Sequence, residues 1–135
     1  MSYSYFTLGY KCNHNCIICP NGFIQKNQEA LSLETLKSSV DKLIEKGDTM
    51  GITLSGGEPS LQDSFLDIIA YISSKGIPIS ILSNGDRFSN KELVYAMCKS
   101  IKNKKRCTIT TAFHSSKPEL HDEISGSKGS FYRTI

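Results

Sequence analysis

Cys12-Asn13-His14-Asn15-Cys16-Ile17-Ile18-Cys19-Pro20 is the stretch from which the rest of the chain can be read. It places three thiols within eight residues, spaced C-x3-C-x2-C. Thiolates are soft ligands that favour zinc, copper(I) or iron–sulfur clusters, and a loop this tight can wrap one compact centre. A closed structural zinc site or an ordinary cubane takes four protein ligands. Three cysteines on a four-iron cube leave one iron open to a small molecule. A short β-rich run, Tyr3 to Leu8, precedes the loop, so the thiols sit at the carboxyl end of a strand.

Working outward, strands and helices alternate. Ser32 is a candidate N-cap. Leu33, Leu36, Val40, Leu43 and Ile44 then recur at helical spacing, and Gly47 ends that helix. Ile52 to Ser55 makes a second strand. Phe65, Ile68, Ile69 and Ile72 make a second amphipathic helix, closed by Gly76. Ile77 to Leu82, interrupted by Pro78, is a third strand, and Val94, Met97, Cys98 and Ile101 mark a third helix. Arg106 to Phe113 is a fourth strand; Pro118 to Ile124 is a short helix, and Phe131 to Ile135 looks like the start of another. This order predicts an α/β fold with a parallel sheet and right-handed crossovers. Ligand sites in such sheets lie beyond the carboxyl ends of the strands. The Cys loop, the Gly56-Gly57-Glu58-Pro59 turn, the Ser83-Asn84-Gly85 turn and His114 are therefore expected on one rim.

Gly56-Gly57-Glu58-Pro59 follows the apolar run Gly51-Ile52-Thr53-Leu54-Ser55. Standing in that order behind the C-x3-C-x2-C loop, it resembles the second signature of the radical SAM (S-adenosylmethionine) enzymes, as the loop resembles the first. The resemblance runs from Tyr3 to Ile135. It implies a radical SAM core domain over residues 1–135, a partial parallel (β/α) barrel with about four β/α units against the six usual in the family. The core is expected to be incomplete at its C-terminal end, either a fragment of a longer enzyme or a short form completed by a partner.

The resemblance also implies the cofactors and their ligands. Cys12, Cys16 and Cys19 would hold a [4Fe–4S] cluster, and SAM would chelate the fourth iron. Reductive cleavage of SAM would give a 5′-deoxyadenosyl radical for hydrogen abstraction, with a donor such as flavodoxin or ferredoxin supplying the electron. Ile18 would pack near adenine. Gly56, Gly57 and Glu58 would receive the methionine amino group, with the Glu58 carboxylate at a turn facing the open iron. Ser83 and Asn84 would lie near the carboxylate or ribose. Ala112 stands where many members carry a serine. Pro118 to Gly126 and Gly129-Ser130-Phe131 resemble a segment of peptide-modifying members, which makes a peptide a candidate substrate; Ser125 stands where those often carry an arginine. With so few strands, the chain alone is expected to bind a cluster but cleave SAM poorly.

Composition excludes little and adds a rival. Sixteen basic and 13 acidic residues leave a net charge of +3, which demands no nucleic acid. Lys102-Asn103-Lys104-Lys105-Arg106 is expected as a solvated helix-to-strand turn. No apolar run approaches the ~20 residues that span a bilayer, and no secretory signal is visible. Exposed cluster thiols suit a reducing cytoplasm. Cys98 and Cys107 are expected to be packing residues. His14 could complete a Cys3His zinc site, but it sits inside the first cysteine spacing; it is expected to face outward or to bond a loop carbonyl. The rival function is a truncated or degenerate iron–sulfur or zinc module without turnover.

Overall fold

The computed structural model describes residues 2–21 and 29–135. Gly22, the expected end of the Cys loop, lies outside them. The elements in order are β1 (Ser2–Thr7), α1 (Leu33–Lys46), β2 (Thr49–Ser55), α2 (Phe65–Ser74), β3 (Ile79–Ser83), α3 (Lys91–Ser100), β4 (Cys107–Thr111), α4 (Pro118–Ser125) and α5 (Ser130–Thr134). The sheet order is β1-β2-β3-β4, and every pair is parallel. Four consecutive β/α units lie side by side, the parallel α/β order the sequence predicts and the partial barrel the resemblance implies.

Local chemistry sets the helix ends. Ser32 Oγ accepts the Thr35 N–H at 3.2 Å, closing the first turn of α1. Gly47, left-handed at φ 66°, returns its N–H to the Ile44 carbonyl. Asn90 caps α3 by accepting the Glu92 and Leu93 N–H groups. The core lies between the sheet and its helices: Leu36 and Val40 of α1, Ile68, Ile69 and Ile72 of α2, and Met97 of α3 meet Ile52, Leu54, Ile79 and Ile81 of the central strands. Each such side chain contributes about 1.5–3 kcal/mol relative to exposure.

Register divides the sheet into two chemical faces. Phe6, Leu54, Ile81 and Ile109 are paired across the four strands in one row. The neighbouring row is Tyr5, Thr53, Ser80 and Thr108, all hydroxyl-bearing. Because side chains alternate along a strand, the aliphatic row faces the helices and the hydroxyl row the opposite side. β4 is an outer strand, and Ile109, although in the aliphatic row, is 41% exposed.

Strand limits differ from the sequence expectation where backbone pairing overrides side-chain pattern. β2 begins at Thr49, because Ser2 and Tyr3 already pair with Thr49 and Gly51. β3 begins after Pro78, which has no N–H to give; its carbonyl instead accepts the Ile52 N–H at 2.9 Å. β4 stops at Thr111, and Phe113 turns into an aromatic group with His121 and Phe131. Lys104–Arg106 is an exposed 3-10 turn, as expected of the basic run. Among the described residues, no helix is long and apolar enough to cross a membrane.

Candidate functional site

The Cys loop leaves the end of β1 and folds around a small cavity. Cys12, Cys16 and Cys19, all half-buried, line this cavity of ≈ 70 Å³ together with Tyr10, Asn21 and Gly57. The His14 N–H points at Cys12 Sγ, 3.4 Å away, and the Cys19 N–H donates to the Cys16 carbonyl at 3.2 Å. The loop is also tied to the far end of the chain. Asn15 and Ile17 donate their N–H groups to the carbonyls of Ser125 and Ile124, each at 3.0 Å. Those carbonyls end α4 and have no partner within their own helix. Gly126 makes the approach possible, since a Cβ there would lie 2.4 Å from the Asn15 carbonyl oxygen.

The donor set is of the type that iron–sulfur clusters take. Among the described residues, no three His, Cys, Asp or Glu side chains are grouped to hold one metal ion. One zinc would require sulfurs at about 2.3 Å from a common point. Three soft thiols around one cavity suit a larger sulfide-bridged centre.

His14 corrects the sequence expectation. It neither faces outward nor bonds a loop carbonyl; it is 5% exposed, and its Nε2 lies 2.8 Å from Asp86 Oδ2. A buried imidazole needs a polar partner, and the turn after β3 brings one alongside. Asp86 Oδ1 accepts the Arg133 Nε–H at 2.8 Å. Burial pushes the Asp86 carboxyl up, but the hydrogen bonds from Arg133 and His14 outweigh it and hold the group below its ordinary value.

The Gly56-Gly57-Glu58-Pro59 turn packs on the start of the loop. Gly57 donates to the Gly9 carbonyl and Glu58 to the Lys11 carbonyl, both at 2.9 Å. A Cβ on Gly57 would meet the Tyr10 carbonyl oxygen at 2.5 Å, so only glycine allows this contact. Glu58 is fully buried. Its carboxylate accepts the Ser60 N–H and hydroxyl at 3.1 and 2.6 Å, the Ser83 hydroxyl at 2.9 and 3.0 Å, and the Asn84 N–H at 2.7 Å. The expectation of a carboxylate facing the open iron is revised accordingly: Glu58 points inward and welds the turns after β2 and β3 together.

A second cavity, ≈ 420 Å³, opens beside the first and shares Cys16, Cys19, Asn21 and Gly57 with it. Ile18, Gly56, Gly57, Ser83 and Asn84 all line it, so five of the six residues expected to bind SAM meet at one place. Glu58 lies behind the wall. Ile18 is 64% exposed over this cavity. Asn84 reaches back to the loop: its Nδ2 donates to Asn13 Oδ1 at 2.8 Å and lies 3.9 Å from Cys12 Sγ. Ala112 and His114 complete the wall at the end of β4.

Sequence reasoning missed four residues here. Asn21 donates to the Gly56 carbonyl at 2.9 Å. Asp86 and Arg133 hold His14, as above. His121 is buried, and its Nδ1 accepts the His114 N–H at 3.3 Å while its Nε2 has no partner among the described residues. Burial, then the nearby His114, push its pKa down. None follows a spacing rule; His14, Asp86 and Arg133 come together from far apart in sequence. Cys107 packs against the core, where burial raises its thiol pKa, and Cys98 stands beside it, away from both cavities.

The chain matches the Radical SAM superfamily over residues 6–135 and belongs to it. Among curated relatives, it is 29% identical over 129 residues to a probable GTP 3′,8-cyclase of Thermococcus kodakarensis, covering 91% of this chain and 38% of that protein. It is likewise 29% identical over 132 residues to the antilisterial bacteriocin subtilosin biosynthesis protein AlbA of Bacillus subtilis, covering 96% of this chain and 28% of AlbA. The chain thus spans only about a third of those relatives. The crystal structure of Streptococcus suis SuiB bound to its precursor peptide SuiA superposes with a TM-score of 0.75 at 13% identity, over 97% of this chain and 28% of SuiB. SuiB bound to S-adenosylmethionine gives a TM-score of 0.72, with 94% and 28% of the two chains covered.

Proposed function

We propose that residues 1–135 form the cluster- and SAM-binding core of a radical SAM enzyme acting on a peptide. The observation that carries this is the pair of adjoining cavities, one ringed by the three thiols and the other by Ile18, Gly56, Gly57, Ser83 and Asn84, with Cys16 and Cys19 in the wall between them. Held by Cys12, Cys16 and Cys19, a [4Fe–4S] cluster would supply one-electron reduction of SAM and, through it, the radical chemistry that abstracts hydrogen from a substrate.

The chain's own residues would hold and orient these groups. Cys12, Cys16 and Cys19 would be the protein ligands of the cluster. The Gly56-Gly57 turn would receive the methionine ammonium, and Glu58 acts through that turn by locking it to Ser83 and Asn84. Ile18 offers an apolar surface to adenine. Ser83 and Asn84 border the carboxylate or ribose. The open edge at β4 is where further strands, from a longer chain or a partner, would close the barrel. A flavodoxin- or ferredoxin-like donor in a reducing cytoplasm would supply the electron, and that compartment would keep the thiols reduced.

The peptide assignment draws on AlbA, a bacteriocin biosynthesis protein, and on SuiB, crystallised with a precursor peptide. A nucleotide is the competing substrate, since the cyclase relative is as similar in sequence. Anaerobic reconstitution with iron and sulfide tests the core claim. Electron paramagnetic resonance of the reduced protein should change when SAM is added, and dithionite should then release 5′-deoxyadenosine. A cluster indifferent to SAM, or zinc alone, would leave the degenerate module as the better account. Greater 5′-deoxyadenosine release with peptide than with nucleotide would separate the two substrate classes.

A further inference from the structure

We propose that Asp86 is a positioning residue for the cluster: anchored by Arg133, it fixes two N–H groups that point at Cys12 Sγ and so sets the reduction potential and retention of the bound centre. This rests on Cys12, Cys16 and Cys19 being the cluster ligands. Three separate segments meet at this carboxylate. His14 belongs to the Cys loop, Asp86 to the turn after β3, and Arg133 to α5.

The first N–H is the backbone amide of His14, 3.4 Å from Cys12 Sγ. Its direction depends on where the His14 residue sits, and the ring is fixed by the 2.8 Å contact from Nε2 to Asp86 Oδ2. The second is the side-chain amide of Asn84, 3.9 Å from the same sulfur. That amide is oriented at its other end, because Asn84 Oδ1 accepts the Asp86 N–H at 3.1 Å. One residue therefore holds two donors, one through its side chain and one through its backbone.

Asp86 is itself held from the tail. Arg133 donates from Nε to Asp86 Oδ1 at 2.8 Å, from Nη1 to the Lys128 carbonyl at 3.1 Å, and from Nη2 to Ser127 Oγ at 3.0 Å. A guanidinium is a rigid fork, so these three bonds leave the carboxylate little freedom. Hydrogen bonds to ligand sulfur tune cluster potential, and partners one step beyond the ligands typically account for about 10–100-fold in metal affinity. Donation of N–H to a thiolate withdraws charge and favours the reduced state, so weakening it should make reduction harder.

The full 135-residue chain carrying Asp86→Asn, Arg133→Met or Arg133→Lys decides the matter. In the metal-free protein, backbone amide exchange over residues 12–19 should quicken by roughly 10-fold or more in Asp86→Asn and Arg133→Met. Exchange in α1 should not change, and Arg133→Lys should restore part of the protection. In the reconstituted protein, the same two variants should show a more negative midpoint potential. They should also lose iron to a chelator about 10-fold faster. Unchanged loop exchange with unchanged potential would overturn the proposal, as would faster exchange spread equally over α1. If Asp86→Asn does not fold, the comparison of Arg133→Met with Arg133→Lys discriminates between the same outcomes. If the wild-type chain takes up no cluster, the proposed function fails, and the exchange measurement alone then decides whether Asp86 positions the loop.

Discussion

Ser83 and Glu58 stand 25 residues apart in sequence, yet the Ser83 hydroxyl lies 2.9 and 3.0 Å from the two carboxylate oxygens of Glu58. The contact joins the turn after β2 to the turn after β3 beneath the larger cavity. Replacing Glu58 by Ala strands the buried Ser60 and Ser83 donors and the half-buried Asn84 N–H. Hydrogen bonds to a buried charged group are worth ~1.5–3 kcal/mol, so Glu58→Ala should lower the unfolding free energy by on the order of 3 kcal/mol. Glu58→Gln, which keeps the shape, should cost less. Both should blunt the response of the reduced protein to SAM while leaving iron content intact. Urea titration and electron paramagnetic resonance check the two halves. A Glu58→Ala chain as stable as the parent would remove the brace.

The five cysteines should divide cleanly. Cys12→Ala, Cys16→Ala and Cys19→Ala should each prevent a stable cluster from forming on reconstitution. Cys98→Ala and Cys107→Ala should retain it, since neither lines the two cavities. Iron and sulfide per chain are the measurement. A need for either of the latter two would reassign the ligands.

Gly57→Ala should damage the larger cavity with little effect on the hydrophobic core. The new Cβ would sit 2.5 Å from the Tyr10 carbonyl oxygen and 2.6 Å from that of Lys11. Relief needs a shift of about 1 Å between the turn and the loop, and displacement of that size at a reacting centre can cost ~100-fold in rate. We expect SAM-dependent 5′-deoxyadenosine release to fall by about that factor. Rates close to those of the parent would show that the contact yields at no cost.

Asp122 gives the fold an acid-sensitive joint. Its carboxylate accepts the Phe131 N–H at 2.9 Å, the Gly129 N–H, and the Ser130 hydroxyl at 3.0 Å, joining α4 to α5. The Phe131 bond, opposed by burial and helped by Gly129 and Ser130, holds its pKa below the ordinary 3.8. The folded state therefore binds fewer protons than the unfolded chain in the acid range. The contribution is fully present above the ordinary value and is lost as pH falls through it toward the depressed one. Asp122→Asn should destabilise the chain at neutral pH and flatten the loss between about pH 5 and pH 3. Urea unfolding across that range is the test; parallel curves for the two proteins would contradict it.

The ligand loop, the glycine turn and the strand–helix alternation are legible because each is written in consecutive residues. Ser32 and Gly47 delimit α1 by local chemistry that tolerates no other reading. The network among turns escapes such reading. Nothing at His14 announces Asp86, and nothing at Asp86 announces Arg133, because such partners are chosen by topology rather than by spacing. Glu58 shows the same limit. Its place in the turn is plain, but the direction of its carboxylate depends on Ser83 and Asn84 arriving from another unit. Pro78 and Phe113 mislead for a simpler reason: apolar runs mark burial and do not mark where ladder pairing starts or stops.

The bonds from Asn15 and Ile17 to Ser125 and Ile124 also impose an order of events during synthesis. The thiol loop emerges from the ribosome about a hundred residues before its anchors, a delay on the order of 5–20 s at usual elongation rates. Throughout that interval the thiols lack the clamp that shapes them, and stray metal or oxidant can reach them first. Cluster delivery is therefore best timed after α4 has been made, and slow translation of the stretch between the thiol loop and α4 should lower the fraction of protein that carries iron.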